Sequence, residues 1–159
     1  MDHSFHGMRR LTGHRVIRRA TDIDSIPSRL VRDLHAYWLA KCHGGALPSW
    51  AVIDPAEITH LLPNIIITGI SHDPLTVSYR LAGTRIVDFR GEITGHTLGR
   101  VPWSAPEGQE RVLEGFARVI ATRAPLFTEA EIATREGVQH AIFAGIWPLS
   151  PDPAAPIDR

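Results

Sequence analysis

Ser71, His72 and Asp73 are the side chains of a hydrolytic triad set in three consecutive positions. Acyl transfer needs a base against the nucleophile and an orienting group behind the base, and three neighbours in one turn cannot converge that way. Nine histidines raise metal or haem ligation, yet none stands four residues from another or on a carboxylate-rich helical face, so no metal site is expected. His140, in a strand-like apolar stretch, and His96, among glycines, are the two that can reach a pocket. In an enzyme they would serve as general base with Asp88 or Glu92 nearby. Thr84 and Arg85 offer a hydroxyl and a guanidinium to a ligand carboxylate or phosphate. The alternative is that Thr84 caps a short helix and Arg85 is solvated. Phe89, Trp103, Phe116, Phe143 and Trp147 can line an apolar cavity or pack an ordinary core.

Most enzyme classes lose their signature here. There is no glycine-rich phosphate loop, His-Glu-x-x-His helix, Cys-x-x-Cys pair or Gly-x-Ser-x-Gly elbow. No catalytic residue is assigned, and the chain is not expected to be an enzyme. Cys42 stands alone, which rules out an intramolecular disulfide and a thiolate cluster within one chain. A formal net charge of zero gives no broad positive field for nucleic acid. The basic charge is uneven, however: Arg9, Arg10, Arg15, Arg18 and Arg19 face only Asp2 in the first twenty residues. Binding of nucleic acid or a membrane surface through this arm is the third functional class, beside sensing and catalysis.

The elements that would position these groups follow from periodicity. Residues 1–22 show none that is sustained and are expected to be a mobile basic arm, with one domain over 23–159. Asp24 or Ser25, with Pro27, opens a helix whose stripe includes Leu30, Leu34, Tyr37 and Trp38, ending at Gly44-Gly45. The stripe can cover the chain's own sheet or pair with a second chain. Asp54-Pro55-Ala56-Glu57 starts a short helix to about Leu62. Ile65 to Ile70 and Leu75 to Leu81 are expected as paired strands around Ser71-His72-Asp73-Pro74, followed by a short helix over Thr84 to Phe89. Pro106 opens a helix with Val112, Leu113, Phe116, Val119 and Ile120 on one face, ending near Arg123. Pro125 to Thr134 and Val138 to Leu149 are the second hairpin. Paired strands around a helical middle make the fold class α+β with a mainly antiparallel sheet. The 159 residues carry no apolar run long enough to span a bilayer and no signal-peptide centre, so a cytoplasmic location is expected.

Several stretches resemble a family of small single-domain PAS proteins from alphaproteobacteria. They are Ala36-Tyr37-Trp38-Leu39, Ile53-Asp54-Pro55-Ala56-Glu57-Ile58, Leu61-Leu62-Pro63, Thr94-Gly95, Trp147-Pro148-Leu149-Ser150 and, most specific, Tyr79-Arg80-Leu81-Ala82-Gly83-Thr84-Arg85-Ile86-Val87. The resemblance implies a PAS-like five-stranded antiparallel sheet with an N-terminal helix and helices on one face, around a volume able to hold a small ligand. Such domains bind haem, flavins, small acids or nothing, so the cofactor is unknown. The family's last strand sits centrally in the sheet, and here only Ile157-Asp158-Arg159 follows Pro156. A truncated final strand is therefore expected, leaving an open central slot or one completed by another strand.

The expectation is a sensor or adaptor. It would bind a small ligand through Thr84, Arg85, His96, Trp103, Phe116, His140, Phe143 and Trp147. A homodimer or a signalling protein would be met through Leu30, Leu34, Tyr37 and Trp38.

Overall fold

The computed structural model describes residues 11–100, 106–134, 139–152 and 154–159. Its elements run β1 (Leu11–Ala20), α1 (Arg29–Lys41), β2 (Ile66–Ser71), β3 (Thr76–Ala82), α2 (Thr84–Arg90), α3 (Pro106–Thr122), β4 (Leu126–Thr134) and β5 (Gln139–Ile146), with short 3-10 turns between α1 and β2. None of the described helices is long and apolar enough to cross a membrane.

Local chemistry fixes the helix ends. Asp22 caps a single 3-10 turn at Ile23–Ser25, so α1 starts later, at Ser28, whose hydroxyl accepts from the Val31 amide at 3.4 Å. Asp54 accepts from the Ala56 amide at 2.9 Å, but Glu57 pairs with Lys41 at 2.6 Å instead of reaching back to close a capping box. A 3-10 turn at Pro55–Ile58 forms there in place of the expected longer helix.

The first correction concerns the arm. Leu11–Ala20, expected to be mobile, is a strand antiparallel to β4. Its partners lie far along the chain, where local periodicity does not reach. Arg18 stands opposite Glu129 and bonds it at 2.6 Å, while Arg19 reaches the Arg111 carbonyl at 2.7 Å. Opposite charges directly across a ladder stabilise it by about 0.2–1 kcal/mol. Residues 1–10 lie outside the described residues.

β1, β4 and β5 form one sheet in that order, and β2 with β3 forms another. β5 distributes its side chains by strict alternation. Ile146 and Leu126 face α3, where Gly115 lets the helix come close. On the opposite face Phe143 and Trp147 pack with Phe127, with Val31 of α1 and with Ile26 just ahead of that helix. The three-stranded sheet is thus covered by α3 on one side and α1 on the other.

The two sheets do not share a continuous ladder. They meet at the last three residues, which fill a short part of the expected central slot. The Ile70 amide donates to Asp158 O at 2.9 Å, the Asp158 amide to Leu149 O at 3.2 Å, and the Leu149 amide to Arg159 O at 2.9 Å. Ile157 is buried at 3% exposure, and Nε2 of His72 lies 2.9 Å from its carbonyl. The turn leading there is tied by Ser150, fully buried, whose Oγ lies 2.6 Å from Asp152 O and 2.9 Å from Ala155 O. Trp38 locks the same segment by donating Nε1–H to Pro148 O at 3.0 Å.

Ser150→Ala removes a buried donor, while Asp152 O keeps the Ala155 amide and Ala155 O keeps Arg123 Nη1. It is expected to cost about 0.5–1.5 kcal/mol in equilibrium urea unfolding; no change beyond experimental error would show that the turn does not depend on this hydroxyl.

Candidate functional site

Gly83 is the point from which the candidate site is built. Its amide donates to Ile65 O at 2.8 Å, and an added Cβ there would run into the carbonyls of Leu62 and Pro63. Only glycine lets β3 end this close to the preceding turns and pass directly into α2. Gly91, at φ 86°, ends α2 with its amide on Val87 O at 2.7 Å. The chain then returns along β3: Gly95 N donates to Tyr79 O at 2.8 Å, Tyr79 N to His96 O at 2.9 Å, and Leu98 N to Val77 O at 2.8 Å.

Where this returning segment meets α3 there is a cavity of about 190 Å³, lined among the described residues by Leu98, Gly99, Gln109, Glu110 and Leu113. Pockets for drug-sized ligands run to roughly 300–1,000 Å³. This space suits a smaller molecule. Gln109, only 8% exposed, brings a buried carboxamide to its wall.

Two polar groups partly withdrawn from water stand close to the end of α2. Phe89 meets the His140 ring edge-on, with centroids 5.5 Å apart, and Nε2 of His140 is buried without a hydrogen-bond partner among the described residues. Arg90, the next residue, is half-buried, and its pKa is pulled down by burial, offset in part by Tyr79. Burial likewise raises the Tyr79 phenol, and the charge of Arg90 works against that rise.

The structure does not gather the eight expected ligand residues into one place. Thr84 and Arg85 are exposed on the first turn of α2, and the N-cap is Gly83, so Thr84 does not cap that helix. His96 contributes its backbone to the β3 pairing, and Phe116 is half-buried on α3. Trp103 lies outside the described residues. His140 and Phe143, three apart on a strand, point to opposite faces of β5. Phe143 and Trp147 belong to the packing against α1, where the Trp147 indole donates to His35 Nδ1 at 3.2 Å. Among the described residues, none of these lines the cavity.

The partner helix is corrected at Trp38, which is 7% exposed and bonded within its own chain. Tyr37 is held by Asp54, whose amide donates to its hydroxyl at 2.8 Å, and Leu34 is half-buried. Leu30 remains open at 38% exposure. As for an acid–base pair, Asp88 and Glu92 are exposed, and Glu92 accepts from the Thr94 amide at 2.8 Å. Among the described residues no group of three His, Cys, Asp or Glu is placed to hold a metal ion.

Sequence reading passed over Arg90, Gln109 and His35. Arg90 sits last in a short helix, where a cation complements the helix dipole and is ordinarily solvated. Only the fold brings Tyr79 near enough to act on its charge.

A family described as PAS domain matches residues 26–157. No curated protein and no solved structure gives a match.

His35 carries a pH dependence. It stacks on Trp38, meets Phe127 edge-on and accepts the Trp147 N–H, and burial lowers its pKa below the usual 6.5. A depressed histidine pKa means the folded state takes up its proton later than the unfolded chain does. Stability is therefore whole above about pH 6.5 and declines as pH falls towards the lowered value. Urea titrations from pH 8 to 5 should show that decline, and His35→Gln should flatten it; an unchanged slope would remove His35 as the cause.

Proposed function

Because the chain belongs to the PAS domain family, we propose that it is a cytoplasmic sensor or adaptor that binds a small molecule and answers by changing its contacts with another protein. The observation that carries this reading is the cavity between Leu98-Gly99 and Gln109-Leu113. Its walls come from the segment paired to β3 and from α3, which packs on the three-stranded sheet. An occupant would touch both halves of the molecule at once.

Selective binding to the folded state must stabilise it, by about 2.7 kcal/mol when ligand is present at a hundred times its dissociation constant. For a chain of this size that is a rise of roughly 5–11 °C in Tm. A metabolite panel scanned by thermal melting should contain such a ligand. Leu113→Phe, which fills the cavity, should keep the unliganded Tm within a few degrees and abolish the ligand-dependent rise. A rise that persists in this variant would place the ligand elsewhere, and no rise with any metabolite would sink the ligand half of the reading.

Protein contact is the other half of the reading. Leu39, Trp50 and Val52, at the end of α1 and in the turn after it, are large hydrophobics left exposed, whereas Leu30, nine residues before Leu39, falls on the opposite side of α1. Exposed apolar surface marks interaction sites, and we assign this end of α1 to a second copy of the chain. Light scattering after size exclusion should give a dimer mass, and the double variant Leu39→Asp, Val52→Asp should run as a monomer with an unchanged Tm. A wild-type protein of monomer mass would overturn self-association.

A further inference from the structure

The cavity beside α3 has a polarity as well as a volume. One wall is the turn at Leu98-Gly99, held by backbone bonds on either side: the Leu98 amide donates to Val77 O at 2.8 Å and the Arg100 amide to Thr97 O at 2.9 Å. The other wall is the start of α3, where Gln109 and Leu113 stand four residues apart and so share one helix face. The two walls meet at Gly99. There φ is 92°, and a Cβ built on Gly99 would lie 3.7 Å from Oε1 of Gln109. A buried carboxamide oxygen is thereby set against the turn, at the point where the walls close together.

This lining discriminates by charge. Leu98 and Leu113 are apolar, so a charge placed between them loses water without compensation. Glu110 is the charged side chain among the described lining residues; it is exposed, and it repels an anion. Arg100, beside Gly99, is exposed and is not among the described lining residues. The dipole at the start of α3 favours negative charge only modestly, by less than it costs to strip water from a carboxylate. A cation gains little from Glu110, because attraction to an exposed carboxylate is screened by solvent. A neutral molecule meets neither obstacle. The Gln109 carboxamide suits one, since its acceptor oxygen and N–H donors are the complement of another amide.

We propose that the cavity takes a small neutral molecule carrying an amide or a comparable donor–acceptor group, read by the Gln109 carboxamide between Leu98 and Leu113, while Glu110 turns carboxylates away. The assignment rests on the ligand-binding reading above and names the chemical class of the ligand.

Propionamide and propionate test it, because they match in size and differ in charge; propylammonium supplies the opposite charge. Each is titrated into the isotope-labelled full chain at matched ionic strength, and dissociation constants are read from backbone amide chemical shifts. Propionamide should give saturable shifts centred on Leu98, Gly99 and Gln109, with propionate and propylammonium at least about tenfold weaker. Gln109→Met keeps a side chain of similar length without its hydrogen bonds and should weaken propionamide about tenfold. Glu110→Gln, at an exposed position, should bring propionate about threefold closer to propionamide, and it decides the matter should Gln109→Met fail to fold. Propionate binding as tightly as propionamide overturns the proposal. So does a propionamide affinity unchanged in Gln109→Met, a ratio of the two affinities unmoved by Glu110→Gln, or shifts centred away from the cavity. If propionamide does not bind while a charged metabolite still stabilises wild type and not Leu113→Phe, the neutral class falls and the sensor reading stands; no stabilisation by any compound overturns both.

Discussion

The backbone hydrogen bonds of the last three residues hold the molecule together as one unit. β2 and β3 form one ladder and β1, β4 and β5 another, and Asp158 bonds both Ile70 of the first and Leu149 just beyond the second. A tripeptide is far too short to pair along a whole sheet edge, so much depends on how firmly it is seated. Ile157 is buried beneath it, the Ser150 hydroxyl fixes the turn that delivers it, and Trp38 pins the segment ahead of that turn from α1. Each of these contacts lies inside the Trp147-Pro148-Leu149-Ser150 region or touches it. That stretch therefore acts as the junction between helix, hairpin and chain end.

Strand alternation then decides which side chains can cooperate. Because β5 is covered on both faces, its residues belong to two different environments: Ile146 looks toward α3, while Phe143 and Trp147 look toward α1. Phe143 and Trp147 consequently belong to the packing against α1, on the face opposite Ile146. The α1 face is a packed cluster in which His35 is a neutral acceptor for an indole N–H. Space for a small molecule remains on the α3 side.

What was legible in the sequence was what local pattern determines. The β2–β3 and β4–β5 hairpins, the extent of α3 and the stop at Arg123, which adopts φ 52°, all follow from periodicity and punctuation within a dozen residues or so. β1 was not legible, because its arginines look like a solvated tail until Glu129, 111 positions away from Arg18, comes alongside. The expected ligand residues are spread over the fold for a related reason. Thr84 and Arg85 are the conspicuous polar pair, but both are exposed on the first turn of α2. Arg90 looks like an ordinary helix-end cation, and the nearness of Tyr79 comes only from the fold.

The division into two ladders gives the fold a way to respond. A continuous five-stranded sheet would resist relative movement of its halves through a full set of ladder bonds, whereas here the described bonds between them are the few at the chain end. The cavity is walled on one side by the segment paired to β3 and on the other by α3, which packs on the three-stranded sheet. A ligand held between those walls can shift the halves only to the extent that it binds one arrangement more tightly than another.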